Sequence, residues 1–211
     1  MARRLPRGPF LYAILDVERL RGRPVGASAE ALARGGAAIV QLRAKGVADR
    51  PLYALAEEAR DGARRGGALF VVNDRPDVAL MLGADGVHLG QDDLAPSEAR
   101  RLLGPDGIVG YSTHSLDQLA AALHQPLDYV AVGPVYATAT KADAEPVVGL
   151  ELVRCARALT DLPLIAIGGI DRVHAPEVVA SGADGLAVIA ALLDQRDLEG
   201  AARAFVAGIG A

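Results

Sequence analysis

Short apolar runs rich in Val, Ile and Leu alternate along the whole chain with Ala- and Leu-rich stretches that carry scattered charges. The first kind is typical of buried strands and the second of amphipathic helices, and Gly or Pro stands at most of the joints. The strands are predicted at 11–16, 37–43, 68–73, 85–89, 107–112, 127–133, 163–168 and 184–189. One helix is predicted after each strand, at 27–35, 51–66, 76–83, 96–104, 115–124, 148–159, 173–182 and 197–208.

This alternation indicates right-handed βαβ crossovers and therefore a parallel sheet. Eight such units predict a closed (β/α)8 TIM barrel, an α/β fold with eight parallel strands and outer helices. The 211 residues give about 26 residues per unit, which is near the lower size limit of the barrel and leaves nothing for a second domain. We therefore predict one barrel domain over 1–211, with 1–10 as a short N-terminal extension. An open doubly wound sheet is the alternative.

The composition argues against nucleic acid and membranes as partners. The formal net charge is −4, aromatic residues make up 4% of the chain and Trp is absent. A nucleic-acid binder is expected to carry a basic surface and stacking aromatic residues. The apolar runs are too short to span a bilayer, and the run at 11–15 is too short for a signal sequence. We expect a cytoplasmic protein and leave open whether it is an oligomer.

Polar side chains concentrate where functional residues of such a barrel are expected, at the carboxyl ends of the strands and in the loops that follow. After strands 2 to 6 they are Gln41, Arg43, Lys45, Asn73, Asp74, Gln91, Asp92, Asp93, Ser112, His114, Thr138, Thr140 and Lys141. Strands 7 and 8 end instead in Gly168-Gly169 and Ile189-Ala190, which offer little but backbone.

The stretch IVQLRAKG at 39–46 begins as an apolar strand and then carries a polar side chain at every second position. Because side chains alternate between the two faces of a strand, Gln41, Arg43 and Lys45 share one face. We expect Gln41 to lie deepest in the barrel, with Arg43 and Lys45 progressively nearer its mouth.

Charges of both signs on one rim indicate a metal ion and a polyanion. Asp74 and Asp93 can share a hard cation such as Mg²⁺, which takes one or two carboxylates and completes its shell with waters and phosphate oxygens. Arg43, Lys45 and Lys141 would neutralise a diphosphate. The glycine-lined ends of strands 7 and 8 match the barrel site in which backbone N–H groups hold a monophosphate. A diphosphate site and a monophosphate site together predict two substrates.

Six stretches of the chain resemble, in the same order, the signature stretches of the thiamine-phosphate synthase family. They are QLRAK (41–45), VVNDR (71–75), GVHLGQDD (86–93), GYSTH (110–114), GPVYATATK (133–141) and AIGGI (166–170). One stretch alone is not specific, whereas six in order over nearly the whole chain are. The resemblance implies a (β/α)8 transferase that joins a hydroxymethylpyrimidine diphosphate to a thiazole phosphate, or to a carboxylated thiazole phosphate, and releases pyrophosphate with Mg²⁺ as cofactor.

The resemblance also implies a role for individual residues. The pyrimidine diphosphate would be bound by Gln41, Arg43, Lys45, Asn73, Ser112 and Lys141, of which Arg43, Lys45, Ser112 and Lys141 would act in catalysis. The thiazole phosphate would be bound by Thr138, Thr140, Gly169, Ile189 and Ala190, and the metal ion by Asp74 and Asp93. The chain departs from the family at Ala190, where the family often has Ser. This removes a hydroxyl group but retains the backbone N–H.

The charged residues also have structural interpretations. Asp74 could cap the helix that is predicted to begin near Pro76. Arg43 and Lys45 could form a solvated strand end. The convergence of these residues on one rim of the predicted barrel favours the functional interpretation.

Two histidines receive structural interpretations. His88 lies inside predicted strand 4 and is interpreted as a hydrogen-bonded residue of the barrel interior rather than a catalyst. His114 lies at the mouth but precedes Ser115-x-x-Gln118, a capping box for the next helix. We interpret His114 as a residue that supports the site without contacting substrate.

Two functions from other classes are compatible with the same barrel. A thiazole tautomerase-like isomerase would use the monophosphate site with His114 as a proton shuttle, and would need neither Asp93 nor Lys141. A non-catalytic sensor of phosphorylated heterocycles would need no metal ligands. The presence of all the diphosphate-binding residues favours the transferase.

Overall fold

The computed structural model describes residues 5–6, 8–138 and 146–210. Its strands are β1 Phe10–Asp16, β2 Ala37–Arg43, β3 Leu69–Asn73, β4 Gly86–Leu89, β5 Ile108–Thr113, β6 Tyr129–Val132, β7 Leu164–Ile167 and β8 Gly185–Val188. They pair in parallel in chain order, and β8 pairs with β1, so the sheet is a closed barrel. The predicted (β/α)8 fold is confirmed, and the open doubly wound sheet is wrong.

Helices follow the strands around the outside of the barrel. In the described ranges they are α1 Val25–Arg34, α2 Asp49–Gly66, α3 Pro76–Leu82, α4 Pro96–Leu103, α5 Leu116–Ala122, α6 Gly149–Leu159, α7 Ala175–Ala180, α8 Ala190–Leu193 and α9 Leu198–Gly208. The sequence did not predict α8, because a single turn of helix is too short to show helical periodicity. As a result, β8 is followed by two helices rather than one.

The buried apolar residues form one cluster that covers both faces of the strands. All seven residues of β1 are buried, as expected for a parallel strand that is covered on both faces. Tyr12 and Ile14 line the cavity of the barrel interior. By strand alternation, Leu11, Ala13 and Leu15 face the helices.

Two helices end at glycines in the left-handed conformation. Gly67 follows α2 with a φ of 88°, and Gly83 follows α3 with a φ of 60°. This is the usual C-cap geometry, in which the glycine N–H bonds to carbonyls of the last helical turn. Both turns lead the chain back to the next strand.

β1 begins at Phe10, so the barrel includes the last residue of the predicted extension. Residues 1–4 and 7 lie outside the described ranges, and the assignment of 1–211 to one domain stays a prediction. In the described part of the chain, no helix combines the length and the hydropathy needed to cross a bilayer.

Candidate active site

A cavity extends from the carboxyl ends of the strands into the barrel interior. Its polar wall consists of Tyr12, Gln41, Arg43, Asn73, His88 and Tyr129. Its apolar wall consists of Ile14, Ala131, Ile165, Ile167 and Ala187, mostly from β6 to β8. The cavity therefore offers a polar edge and an apolar face side by side, an arrangement suited to a heterocyclic ring.

The polar wall contains a continuous line of hydrogen bonds. The Gln41 Nε2 donates to the Tyr12 hydroxyl at 2.8 Å, and the Tyr12 and Tyr129 hydroxyls lie 2.9 Å apart. The Tyr129 hydroxyl lies 2.9 Å from His88 Nδ1, and His88 Nε2 lies 2.8 Å from Ser112 Oγ. The interpretation of His88 as a hydrogen-bonded interior residue is confirmed.

Sequence analysis missed Tyr12 and Tyr129 as members of this wall. Both lie within predicted strands, and their hydroxyls are the polar atoms of otherwise apolar segments. A buried Tyr hydroxyl is usually hydrogen-bonded, so a tyrosine inside a buried strand is a signal that a polar group lies opposite. Nothing in the local sequence indicates which strand carries that group.

The predicted depth order on β2 is observed. Gln41 is 2% exposed. The side chains of Arg43 and Lys45 are 14% and 56% exposed, respectively. Gln41 thus lies in the interior, and Lys45 lies at the rim.

Arg43 forms an ion pair at the end of its strand. Its Nη1 lies 2.5 Å from Oδ2 of Asp16, whose side chain is only 5% exposed. Asp16 is the last residue of β1 and pairs in register with Arg43 at the end of β2. Its Oδ1 also accepts a hydrogen bond from the Arg19 backbone N–H at 3.1 Å. The solvated strand end is therefore wrong for Arg43.

Asp74 does not cap the helix that follows it. The N-cap of α3 is Arg75, without a side-chain capping bond, and α3 begins at Pro76. The Asp74 Oδ2 lies instead 2.5 Å from Lys45 Nζ. Asp74 has a φ of 63°, which is unfavourable for a residue with a Cβ, and such backbone strain clusters at functional sites.

Asp93 lies next to the pair of Lys45 and Asp74. Its Oδ2 accepts a hydrogen bond from the Gly90 backbone N–H at 2.7 Å. Burial raises the pKa of Asp93, and the neighbouring Asp74 carboxyl raises it further. Two adjacent carboxylates repel each other unless a cation lies with them, so this pair is suited to bind one.

The described residues contain no group of three or more His, Cys, Asp or Glu side chains placed to hold a metal ion. Two carboxylates nevertheless fit Mg²⁺, because this ion keeps several waters and takes phosphate oxygens of the substrate as ligands. The geometry suits an ion that is held jointly by protein and substrate.

His114 connects two strand ends. Its Nδ1 donates to the Gly133 carbonyl at 2.6 Å, and its backbone N–H donates to the Gln118 Oε1 at 2.7 Å. The Gln118 backbone N–H in turn donates to the Ser115 Oγ at 3.2 Å. Ser115 caps α5 as predicted, but the Gln118 side chain accepts from the His114 N–H rather than from the Ser115 N–H, so only half of the predicted capping box is observed. These contacts agree with the interpretation of His114 as a supporting residue.

The side of the rim that is predicted to bind a monophosphate is formed largely by backbone. The loop after β6 lies against the end of β7, with hydrogen bonds from the Val135 N–H to the Ile167 carbonyl and from the Tyr136 N–H to the Gly168 carbonyl. α8 begins at Ala190 directly after β8, with Ile189 at its N-cap. The amino end of α8 therefore lies at the barrel mouth.

Of the residues predicted for this side, Thr138 is half-buried in the loop after β6. Thr140 lies outside the described residues, and so does Lys141, which is predicted for the pyrimidine diphosphate. Gly169 has a φ of 64°, and a Cβ placed on it would lie 2.6 Å from the Ala137 carbonyl oxygen. This position requires glycine, because the loop after β6 packs directly on it.

The fold and the site define a class of protein: a (β/α)8 barrel with its candidate functional groups at the carboxyl ends of the strands, where enzymes of this fold have their active sites. A family model described as thiamine monophosphate synthase matches residues 11–192. The chain belongs to this family. The predicted family is thus confirmed, and with it a transferase of thiamine biosynthesis.

Individual relatives agree with the family model. A thiamine-phosphate synthase of Chloroflexus aurantiacus is 44% identical over 193 residues, which cover 92% of this chain and 89% of the relative. A thiamine-phosphate synthase of Thermus thermophilus is 50% identical over 171 residues, which cover 81% of this chain and 82% of the relative. The solved structure of a thiamine phosphate pyrophosphorylase from Pyrococcus furiosus has a TM-score of 0.85 and 37% identity and covers 95% of both chains.

Proposed function

We propose that this chain condenses 4-amino-2-methyl-5-hydroxymethylpyrimidine diphosphate with 4-methyl-5-hydroxyethylthiazole phosphate, or with its carboxylated form, and releases pyrophosphate. The observation that carries the proposal is that the polar wall of the cavity leads, through Arg43, to the cluster of Lys45, Asp74 and Asp93 at the rim. A ring bound in the cavity would place a diphosphate substituent at this cluster.

The pyrimidine ring would lie between the two walls of the cavity. Gln41 has an amide that both donates and accepts, as the edge of an aminopyrimidine requires. Asn73 and Ser112 provide further polar contacts, and Ile165 and Ile167 would contact the face of the ring.

The metal site would consist of Asp74 and Asp93. When bound there, Mg²⁺ would neutralise the charge that builds on the departing pyrophosphate. Asp74 would exchange its ion pair with Lys45 for the metal ion, which leaves the Lys45 ammonium available to the diphosphate. Arg43 and Lys141 would add positive charge around the same group.

The reaction needs no general base from the protein. The bond between the exocyclic methylene carbon and the diphosphate oxygen breaks, and its electron pair leaves with pyrophosphate. The aminopyrimidine feeds electrons into the resulting carbocation, and the lone pair of the thiazole nitrogen then forms the new C–N bond. That nitrogen carries no proton to be removed. A rim of cations, carboxylates and amides is consistent with such a dissociative step.

The thiazole phosphate would bind opposite, on the backbone of strands 7 and 8. We assign it to Thr138, Thr140, Gly169, Ile189 and Ala190. Backbone N–H groups at the amino end of α8 would donate to the phosphate. Since this contact uses the backbone, Ala190 retains it without the hydroxyl of a serine.

The direct test is to mix the purified chain with both substrates and Mg²⁺ and to measure the release of pyrophosphate. We expect release only when both substrates and the metal ion are present. An isomerase would convert a carboxylated thiazole phosphate alone without releasing pyrophosphate, and a sensor would release none. Either result would reject the transferase.

Replacing Lys45 by Ala should weaken the binding of pyrophosphate in the presence of Mg²⁺ by about ten- to a hundred-fold, because loss of a charge-assisted contact costs about 1.5–3 kcal/mol. Gln41→Ala is the matched variant on the same strand face. This variant should weaken the binding of the pyrimidine substrate but leave the binding of pyrophosphate unchanged, since pyrophosphate lacks the ring. Calorimetric titration of pyrophosphate into both variants measures this. Equal losses in the two variants would contradict the assigned depth order.

Replacing Gly169 by Ala should raise the KM for the thiazole phosphate and lower the stability of the barrel. The left-handed φ costs about 1–2 kcal/mol for a residue with a Cβ, and the clash with the Ala137 carbonyl adds to it. Gly83→Ala is the control, because Gly83 has a φ of 60° and a Cβ placed on it would meet no atom within 4 Å. This variant should lose only the stability that the left-handed φ costs, and its KM for the thiazole phosphate should be that of the wild type. Chemical denaturation and steady-state kinetics on both variants decide the prediction.

A further inference from the structure

A line of buried hydrogen bonds crosses the barrel from β2 to β5, through Gln41, Tyr12, Tyr129, His88 and Ser112. Its two ends are residues that we assign to the pyrimidine substrate. The three residues between them have no role in the proposed reaction. Only the first link has an assigned donor, the Gln41 amide N–H, and the direction of the other links follows from it.

The direction is set by the amide of Gln41. Its Nε2 donates to the Tyr12 hydroxyl. The Tyr12 hydroxyl then donates its own proton to the Tyr129 hydroxyl, since the opposite orientation would leave a buried O–H of Tyr12 with no acceptor among the described residues, which is costly. Tyr129 in turn donates to His88 Nδ1. Burial raises the pKa of both tyrosines, so both phenols keep the protons that this order needs.

The direction fixes the state of His88. Its Nδ1 accepts a proton, so the ring is neutral and carries its own proton on Nε2, which it donates to Ser112 Oγ. The ring is stacked on Tyr129, with centroids 5.6 Å apart and planes inclined by 12°. A Cβ at Gly110 would lie 1.9 Å from the Tyr129 Cζ, so a glycine on β5 makes room for this phenol.

We infer that Tyr12, Tyr129 and His88 are positioning residues that fix a donor and acceptor pattern for the pyrimidine substrate. They orient the Gln41 amide so that its Oε1 is left to accept from the substrate. At the other end of the line, the Ser112 hydroxyl accepts the hydrogen bond from His88 Nε2. The hydroxyl proton of Ser112 is therefore available to donate to the substrate. The inference rests on the proposed function.

This pattern selects a substrate class. An exocyclic amino group donates to the Gln41 Oε1, and a ring nitrogen accepts from the Ser112 hydroxyl. In an analogue with an oxo group in place of the amino group, a hydrogen-bond acceptor replaces the donor. The oxo oxygen would then face the Gln41 Oε1, which is also an acceptor. Sites that hydrogen-bond a substrate in this way reject a mismatched analogue strongly, because buried polar groups are left unpaired. The line of hydrogen bonds would thus make the enzyme specific for aminopyrimidines.

The first test needs no substrate. Long-range ¹H–¹⁵N correlation spectra of the ligand-free chain report the tautomer of each of the four histidines, and His88→Gln identifies the His88 signals. We expect a neutral His88 ring with the proton on Nε2 at pH 6 to 8. A proton on Nδ1, or a charged ring, would overturn the inference, whether or not the chain has the proposed activity.

The second test uses Tyr129→Phe, which keeps the ring and removes one hydroxyl. We expect a mixture of His88 tautomers, a KM for the pyrimidine diphosphate about ten-fold higher, and an equally large loss of discrimination against the diphosphate of the oxo analogue. Tyr53→Phe, on the outer helix α2, is the control and should change none of these. If discrimination is unchanged in Tyr129→Phe, the inference fails, whereas a wild-type chain that releases no pyrophosphate rejects only the proposed function.

Discussion

Replacing Asp93 by Asn should lower the Mg²⁺-dependent kcat/KM by at least about a hundred-fold, because the variant keeps the shape of the side chain but loses one of two carboxylates proposed to hold the metal ion. A metal ion that stabilises a departing phosphate contributes several kcal/mol to the transition state, and each 1.36 kcal/mol is ten-fold in rate. Pyrophosphate release, measured over a series of Mg²⁺ concentrations, gives the loss.

The same substitution should not destabilise the fold. The amide oxygen of Asn can still accept from the Gly90 N–H, and the repulsion between Asp93 and Asp74 is removed. We therefore expect a free energy of unfolding equal to or above that of the wild type. Asp92→Asn is the matched control, since Asp92 is adjacent and exposed, and it should keep full activity. Full activity in Asp93→Asn would remove this carboxylate from the metal site.

The fold could be predicted because its signal is local. Each strand of the barrel is a short apolar run and each long helix an amphipathic stretch, so eight repeats indicate the topology without knowledge of any long-range contact. The depth order of Gln41, Arg43 and Lys45 was predictable for the same reason, since it depends only on alternation along one strand. α8 was missed because four residues are too few for a periodic pattern.

The partners inside the barrel could not be predicted, because they depend on which strands meet and in which register. Tyr12 and Tyr129 are separated by 117 positions, and their contact exists only after the barrel has closed. Asp16 could have been read as the end of a strand but not as the partner of Arg43. The left-handed backbone of Asp74 carries no local signal in the sequence, which left a helix cap as the alternative to the favoured metal role.

Arg43 and Asp16 provide a second prediction with a large effect, since the ion pair that they form is nearly excluded from water. Removing one partner of a buried pair leaves the other charge unpaired, which typically costs about 3–5 kcal/mol. Arg43→Ala should therefore lower the free energy of unfolding by about that amount. It should also weaken pyrophosphate binding by about ten- to a hundred-fold, through loss of the guanidinium at the rim.

The two effects of Arg43→Ala have different causes and can be separated with Asp16→Asn in the same chain. The double variant removes the unpaired carboxylate, while Asn still accepts from the Arg19 N–H, so it should regain most of the lost stability. It should not regain pyrophosphate affinity, because no cation is restored. Denaturation curves and calorimetric titrations of the single and double variants measure both quantities. If affinity returns together with stability, Arg43 acts on the site only by neutralising Asp16, and its direct contact with the diphosphate is disproved.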